Sequence, residues 1–187
     1  MKKTALFLLL LMSISFGSGT LLAKDRQAHK FEIGAGADMF GNLGLVGGPA
    51  HYPGPRAFLE YRYFITDGWD AGINLSYQFH TAEGNPTPGN PVIRFVNHMP
   101  SISALSEYVF RPGRKVRPFL GAGIGFGINH KEYDSGSEYN QYYRMLYPRF
   151  GVEFFGHLRL SVELRYAWTD RFYSYESSKG ISLSWVF

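Results

Sequence analysis

The stretch GISLSWVF, residues 180–187, sets Ile181, Leu183, Trp185 and Phe187 on alternate positions, with Gly180, Ser182 and Ser184 between them. A period of two marks a strand with one apolar and one polar face. Chain ends usually fray into polar tails. Here the most hydrophobic side chains crowd the last positions, so a neighbouring strand must hold them. Working back along the chain, the same period recurs in residues 158–168, where Leu160, Val162, Leu164, Tyr166 and Trp168 oppose Arg159, Ser161, Glu163 and Arg165. It recurs in 144–154, with Phe150, Val152 and Phe154 against Arg149, Gly151 and Glu153, and in 116–129, with Leu120, Ala122, Ile124, Phe126 and Ile128 against glycines. Residues 69–80, 56–65 and 31–40 repeat the pattern. Residues 101–110 are less regular: Ile102, Ala104, Tyr108 and Phe110 form an apolar face that Leu105 and Val109 contradict. The total is eight strands of about ten residues, with no helical period between them.

The strands are joined by connections that alternate in length. Residues 41–55, 81–97, 130–143 and 169–178 are long; 66–68, 111–115 and 155–157 are short. A soluble sandwich has no reason to sort its connections in this way. A transmembrane β-barrel does, because short turns face the periplasm and long loops face outside. The expected fold is therefore an all-β, eight-stranded antiparallel up-and-down transmembrane barrel, with both termini periplasmic. Trp69 and Trp185 fall at the periplasmic ends of outward faces and Trp168 at an external end, as interfacial girdles require. In a closed barrel the eighth strand pairs with the first, which accounts for the apolar terminus.

Composition agrees with an exported chain. Of 187 residues, 45% are hydrophobic and 17% aromatic, enough for one domain with a real interior. Met1-Lys2-Lys3, the apolar run 5–12 and small residues up to Ala23 read as a secretory signal peptide over 1–23, leaving 24–187 as the barrel domain. There is no cysteine, which excludes disulfides and thiolate metal sites. Removal of Lys2 and Lys3 takes the formal charge from +4 to +2, too small to indicate a nucleic-acid partner.

Glu32, Asp38, Glu60, Arg62, Asp70, Glu107, Arg149, Glu153, Arg159, Glu163 and Arg165 all fall on the inward face. An eight-stranded barrel is just wide enough for side chains to fill, so these charges are expected as structural pairs. With Phe154 opposite Leu158, Glu153 meets Arg159 and Arg149 meets Glu163. Gly121, Gly123, Gly125 and Gly127, with Gly34 and Gly36 across the circle, make room for arginines or aromatics of opposing strands. The histidines lack metal-ligand spacing. His130 with Glu132, and His80 with Glu83, read as solvated loop residues on the outer surface. No catalytic, cofactor or metal residue is assigned. The loops combine tyrosine with Ser, Gly and Asn, a composition suited to binding, so Tyr133, Tyr139, Tyr142, Tyr143, Tyr173 and Tyr175 are the expected contacts for an extracellular ligand.

KVRPFLGAGIGFGI (115–128) and FGVEFFGHLRLSVELRYAW (150–168) resemble the small outer-membrane barrel superfamily that holds OmpX-, OmpA- and OmpW-like proteins. The resemblance bears on fold more than on function; the expected role is structural, in envelope integrity, or surface binding, without catalysis, in contact with outer-membrane lipid and lipopolysaccharide. An OmpW-like conduit for small hydrophobic compounds is the alternative. Ile181, Leu183, Trp185 and Phe187 resemble the C-terminal strand signal read by the outer-membrane assembly machinery. A PagL-like lipid A enzyme carries a His-x-Ser pair near the outer end of strand seven, where this chain has Trp168 and Asp170.

Overall fold

In a computed structural model of the chain, the described residues are 29–40, 50–84, 93–110, 112–169 and 176–187. The expected signal peptide lies outside them. Eight long strands form the body: β1 His29–Phe40, β2 Gly54–Phe64, β3 Trp69–Gly84, β4 Ile93–Val109, β5 Val116–Tyr133, β6 Glu138–Phe154, β7 Leu158–Trp168 and β8 Glu176–Val186. Each pairs antiparallel with the next, and β8 returns to β1, closing the circle. Ala50–His51 adds a two-residue pairing to Ala82 and Glu83 on β3.

Closure explains the apolar terminus. β8 is laddered on both sides, from Leu158↔Trp185 to Ala167↔Glu176 on β7 and from Glu32↔Val186 to Phe40↔Ser178 on β1. The final residue is held too, because the Phe187 amide donates to the Phe31 carbonyl at 2.8 Å. Ile181, Leu183, Trp185 and Phe187 all point outward and are about half exposed. The wall they belong to is apolar all round, with Phe31, Ile33, Leu59, Ile73, Leu75, Leu120, Ile124 and Phe126 in the same state. On β5 the apolar set runs from Val116 to Ile128, about 30 Å at ~3.3 Å per residue and ~40° tilt, which matches a hydrocarbon core. Aromatics ring the end that holds His29 and Phe187: Trp69 packs against Tyr108, Tyr108 against Phe110, and Trp185 stacks on His157 at 5.5 Å.

Three expectations change. Ile102, Ala104, Tyr108 and Phe110 do face outward, but Leu105 and Val109 are buried inside, so β4 is regular and only its apolar content is two-sided. Residues 130–143 are not a long loop. The β5–β6 ladder continues in register from Val116↔Phe154 to Glu132↔Glu138, leaving a turn at 134–137 only one residue longer than the one at 155–157. Likewise β3 and β4 run on to Gly84 and from Ile93, and shorten the 81–97 connection to 85–92. The cause is that strands above the apolar belt carry polar side chains on both faces, such as Asn97 and Asn129 inward and His98 and His130 outward, so no apolar period marks them. The asymmetry between the two ends lies in strand length: β3 to β6 have 16–18 residues, whereas β1, β2, β7 and β8 have 11 or 12.

Candidate functional site

Inward positions on the same strands build the barrel's contents. Among the described residues, seven buried carboxylates (Glu32, Asp38, Glu60, Asp70, Glu107, Glu153 and Glu163) meet five buried guanidiniums, those of Arg56, Arg62, Arg149, Arg159 and Arg165. Lys30 and Arg117, both on Glu153, bring the count to seven against seven. Leaving one such charge unpaired in the interior is costly, whereas a balanced and hydrogen-bonded set is tolerated.

The bonds cross the lumen. Arg149 on β6 reaches Glu60 on the opposite strand β2 with two contacts, 2.7 and 3.3 Å, and also touches Glu107 on β4. Arg159 bridges Glu32 at 2.8 Å and Glu107 at 2.6 Å, its plane 3.8 Å over the Phe119 ring. Arg62 joins Glu32 at 2.7 Å, Glu60 at 3.2 Å and Asp70 at 3.4 Å. Asn74 donates to Glu60 at 3.0 Å. A second group nearer the far end links Arg56 to Asp38 and Glu163, and Glu163 to Arg165 at 2.9 Å. The planar fork of arginine suits this bridging, since each guanidinium offers five donors in fixed directions.

The register expected from the sequence holds: Phe154↔Leu158, Glu153↔Arg159 and Arg149↔Glu163. The ion pairs differ from it. Glu153 stands 3.9 Å from Arg159 but binds Lys30 at 3.2 Å and also Arg117. Arg149 takes Glu60 and Glu107, while Glu163 takes Arg56 and Arg165. A guanidinium long enough to cross an eight-stranded lumen finds better geometry there than beside itself on the wall. Arg56, absent from the inward charges expected from the sequence, shares the even-numbered face with Glu60 and Arg62, so the period alone marks it.

Above the charges the lumen is filled by Met99, Tyr143, Met145 and Tyr147. The glycines make that packing fit. A Cβ on Gly123 would collide with the Tyr147 ring, one on Gly127 with Tyr143 and one on Gly34 with Phe58. These aromatics come from the adjacent strand, directly opposite their glycines in the ladder, not from across the barrel as the sequence suggests. Gly123→Val is expected to cost about 1–3 kcal/mol by overpacking, and less in a Tyr147→Leu background. The measurement is the shift of the urea unfolding midpoint in micelles.

The six tyrosines expected to meet a ligand separate. Tyr139 and Tyr142 are exposed, Tyr142 at 74%. Tyr133 is half-buried against Phe95. Tyr143 is buried in the lumen cluster and presents nothing outward, because it falls on the inward rung opposite Gly127. Tyr173 and Tyr175 lie outside the described residues, as does Asp170. His80 is also a correction: it is buried within the barrel, its Nε2 3.1 Å from the Asn97 amide, because it falls on the even-numbered face of β3. On the outer wall, Pro100, Ile102, Phe126, Ile128, Tyr142 and Arg144 line much of a groove of about 520 Å³ near the far rim.

A closed eight-stranded barrel with an apolar belt, an aromatic girdle and a charge-balanced interior is the architecture of the small outer-membrane β-barrels. Solved structures agree. The neisserial surface protein NspA is similar to this chain with a TM-score of 0.57 at 18% identity, covering 87% of this chain and 98% of NspA. Ail of Yersinia pestis, in complex with the heparin analogue sucrose octasulfate, gives a TM-score of 0.50 at 16% identity over 85% and 97% of the two chains. The outer membrane enzyme PagL gives 0.48 at 13% identity over 83% and 98%. Similarity at these identities is one of fold. No protein-family model and no curated protein matches the chain.

Proposed function

We propose that the protein is an integral outer-membrane barrel with both termini in the periplasm, whose molecular activity is binding at its outer surface and involves no catalysis. The observation that carries this reading is the combination of a filled, charge-neutral lumen with strands β3 to β6 that continue past the apolar belt. The contents argue against an OmpW-like conduit, since the guanidiniums of Arg56, Arg62, Arg149 and Arg159 cross-link strands through the space a solute would need. Tyr139 and Tyr142 offer exposed aromatic contact at or above the belt's outer edge. Ail, a barrel of the same fold, has been solved with a heparin analogue, and extracellular contact is the role argued here. On this reading the outer-membrane assembly machinery takes up the chain through Ile181, Leu183, Trp185 and Phe187.

An epitope inserted at Ser135, in the β5–β6 turn, is expected to be labelled on intact cells. Labelling only after permeabilisation would reverse the topology. The purified protein in planar bilayers is expected to show no steady conductance, and a stable conducting state would overturn the plugged-lumen reading.

A further inference from the structure

His98 on β4 and His130 on β5 stand directly opposite each other in the ladder, on the outward wall just above Pro100 and Ile128. Their Nε2 atoms converge on one carboxylate oxygen: Glu132 Oε1 lies 3.2 Å from His130 Nε2 and 3.8 Å from His98 Nε2. The other ring nitrogens are already occupied. His98 Nδ1 is 2.6 Å from the Tyr77 hydroxyl, and His130 Nδ1 is 2.8 Å from Asn140 Oδ1. Phe79 packs edge-on against the His98 ring at 5.4 Å. Imidazoles that ligate metals are held in this way, one nitrogen bound by an outer partner so that the other is aimed. A second observation points to a cation. Glu132 faces Glu138 across the β5–β6 ladder, and like charges directly opposite destabilise a sheet.

We propose that His98, His130 and Glu132 bind a divalent transition-metal ion, Zn²⁺ or Cu²⁺, on the outer rim, with water completing the shell. Ligands about 2.0–2.1 Å from a tetrahedral zinc stand about 3.4 Å apart, and the 3.2 and 3.8 Å separations bracket that value. Among the described residues no three such side chains close on an ion as they stand, and small rotations of Glu132 and His98 complete the contraction. Two imidazoles and one carboxylate favour zinc or copper over magnesium or calcium, which prefer oxygen alone. The side chains are 28%, 30% and 52% exposed, so the ion enters from solvent.

The test uses the folded barrel in micelles, without a histidine tag, titrated with ZnCl₂ by calorimetry. One ion per chain is expected, with affinity at least tenfold weaker in His98→Ala and in His130→Ala and no heat from MgCl₂. Correct folding of each variant is checked by the mobility of unboiled samples. A measurement on the unaltered protein stands beside the variants: bound Cu²⁺ should show an electron paramagnetic resonance signal split by two nitrogens. Unchanged zinc affinity in both variants, or a copper signal without two-nitrogen splitting, removes the proposal.

Discussion

Deletion of residues 181–187 is expected to abolish assembly, leaving no form that migrates faster when unboiled. The loss takes the rungs from Glu32↔Val186 to Ala37↔Ile181 from one seam and those from Leu158↔Trp185 to Val162↔Ile181 from the other. The facing edges of β1 and β7 then carry unpaired amides and carbonyls across the apolar belt, at several kcal/mol for each group in hydrocarbon. Phe187→Ala serves as the graded control, because the Phe187 amide bond to Phe31 survives a side-chain change. It should weaken assembly without eliminating the folded form. A truncated chain that still inserts and shifts on unboiled gels would falsify closure as the source of stability.

The second large effect concerns Arg149. Arg149→Leu leaves Glu60 with Arg62 and Glu107 with Arg159 but removes the guanidinium that holds both at closest range, and truncating one side of a buried pair costs about 3–5 kcal/mol. Adding Glu60→Leu in the same molecule should return part of the loss, with a coupling of at least about 1 kcal/mol by double-mutant cycle. The contrast is with Glu163. It faces Arg149 on the neighbouring strand but is bonded to Arg56 and Arg165. Arg149→Leu with Glu163→Leu should therefore add with a coupling below about 0.5 kcal/mol. Urea unfolding in micelles, fitted with a common slope, reads both cycles. Strong coupling to Glu163 and none to Glu60 would return the charges to wall-side pairs.

That contrast marks where the sequence ceased to be legible. A period of two assigns each side chain to a face, and the short turn at residues 155–157 sets the rung, so Arg149 and Glu163 could be placed opposite each other. Neither rule says how far around the circle a guanidinium reaches, and Arg149 reaches the diametric strand. The apolar belt was readable because lipid demands an apolar residue at every second position. Beyond it, Asn129, Lys131 and Asn140 continue the ladder with polar side chains on both faces and no apolar period to reveal it. The histidine pair was hidden for the same reason: His98 and His130 are far apart in the chain, and only the register of two hydrated strand ends makes them neighbours.

The continuous β5–β6 ladder has a mechanical consequence. A slack loop over residues 130–143 would yield under tension and transmit no direction. A hairpin whose rungs continue without interruption from tip to base instead carries a pull at residues 134–137 straight into the wall. Both of its strands are drawn the same way, so the load falls as shear on the flanking β4–β5 and β6–β7 seams, where many hydrogen bonds share it. Each of those seams has a weak point: rungs are missing beside Pro100 in one and beside Pro148 in the other, since proline has no amide hydrogen to give. Under force, slippage would begin at those two places.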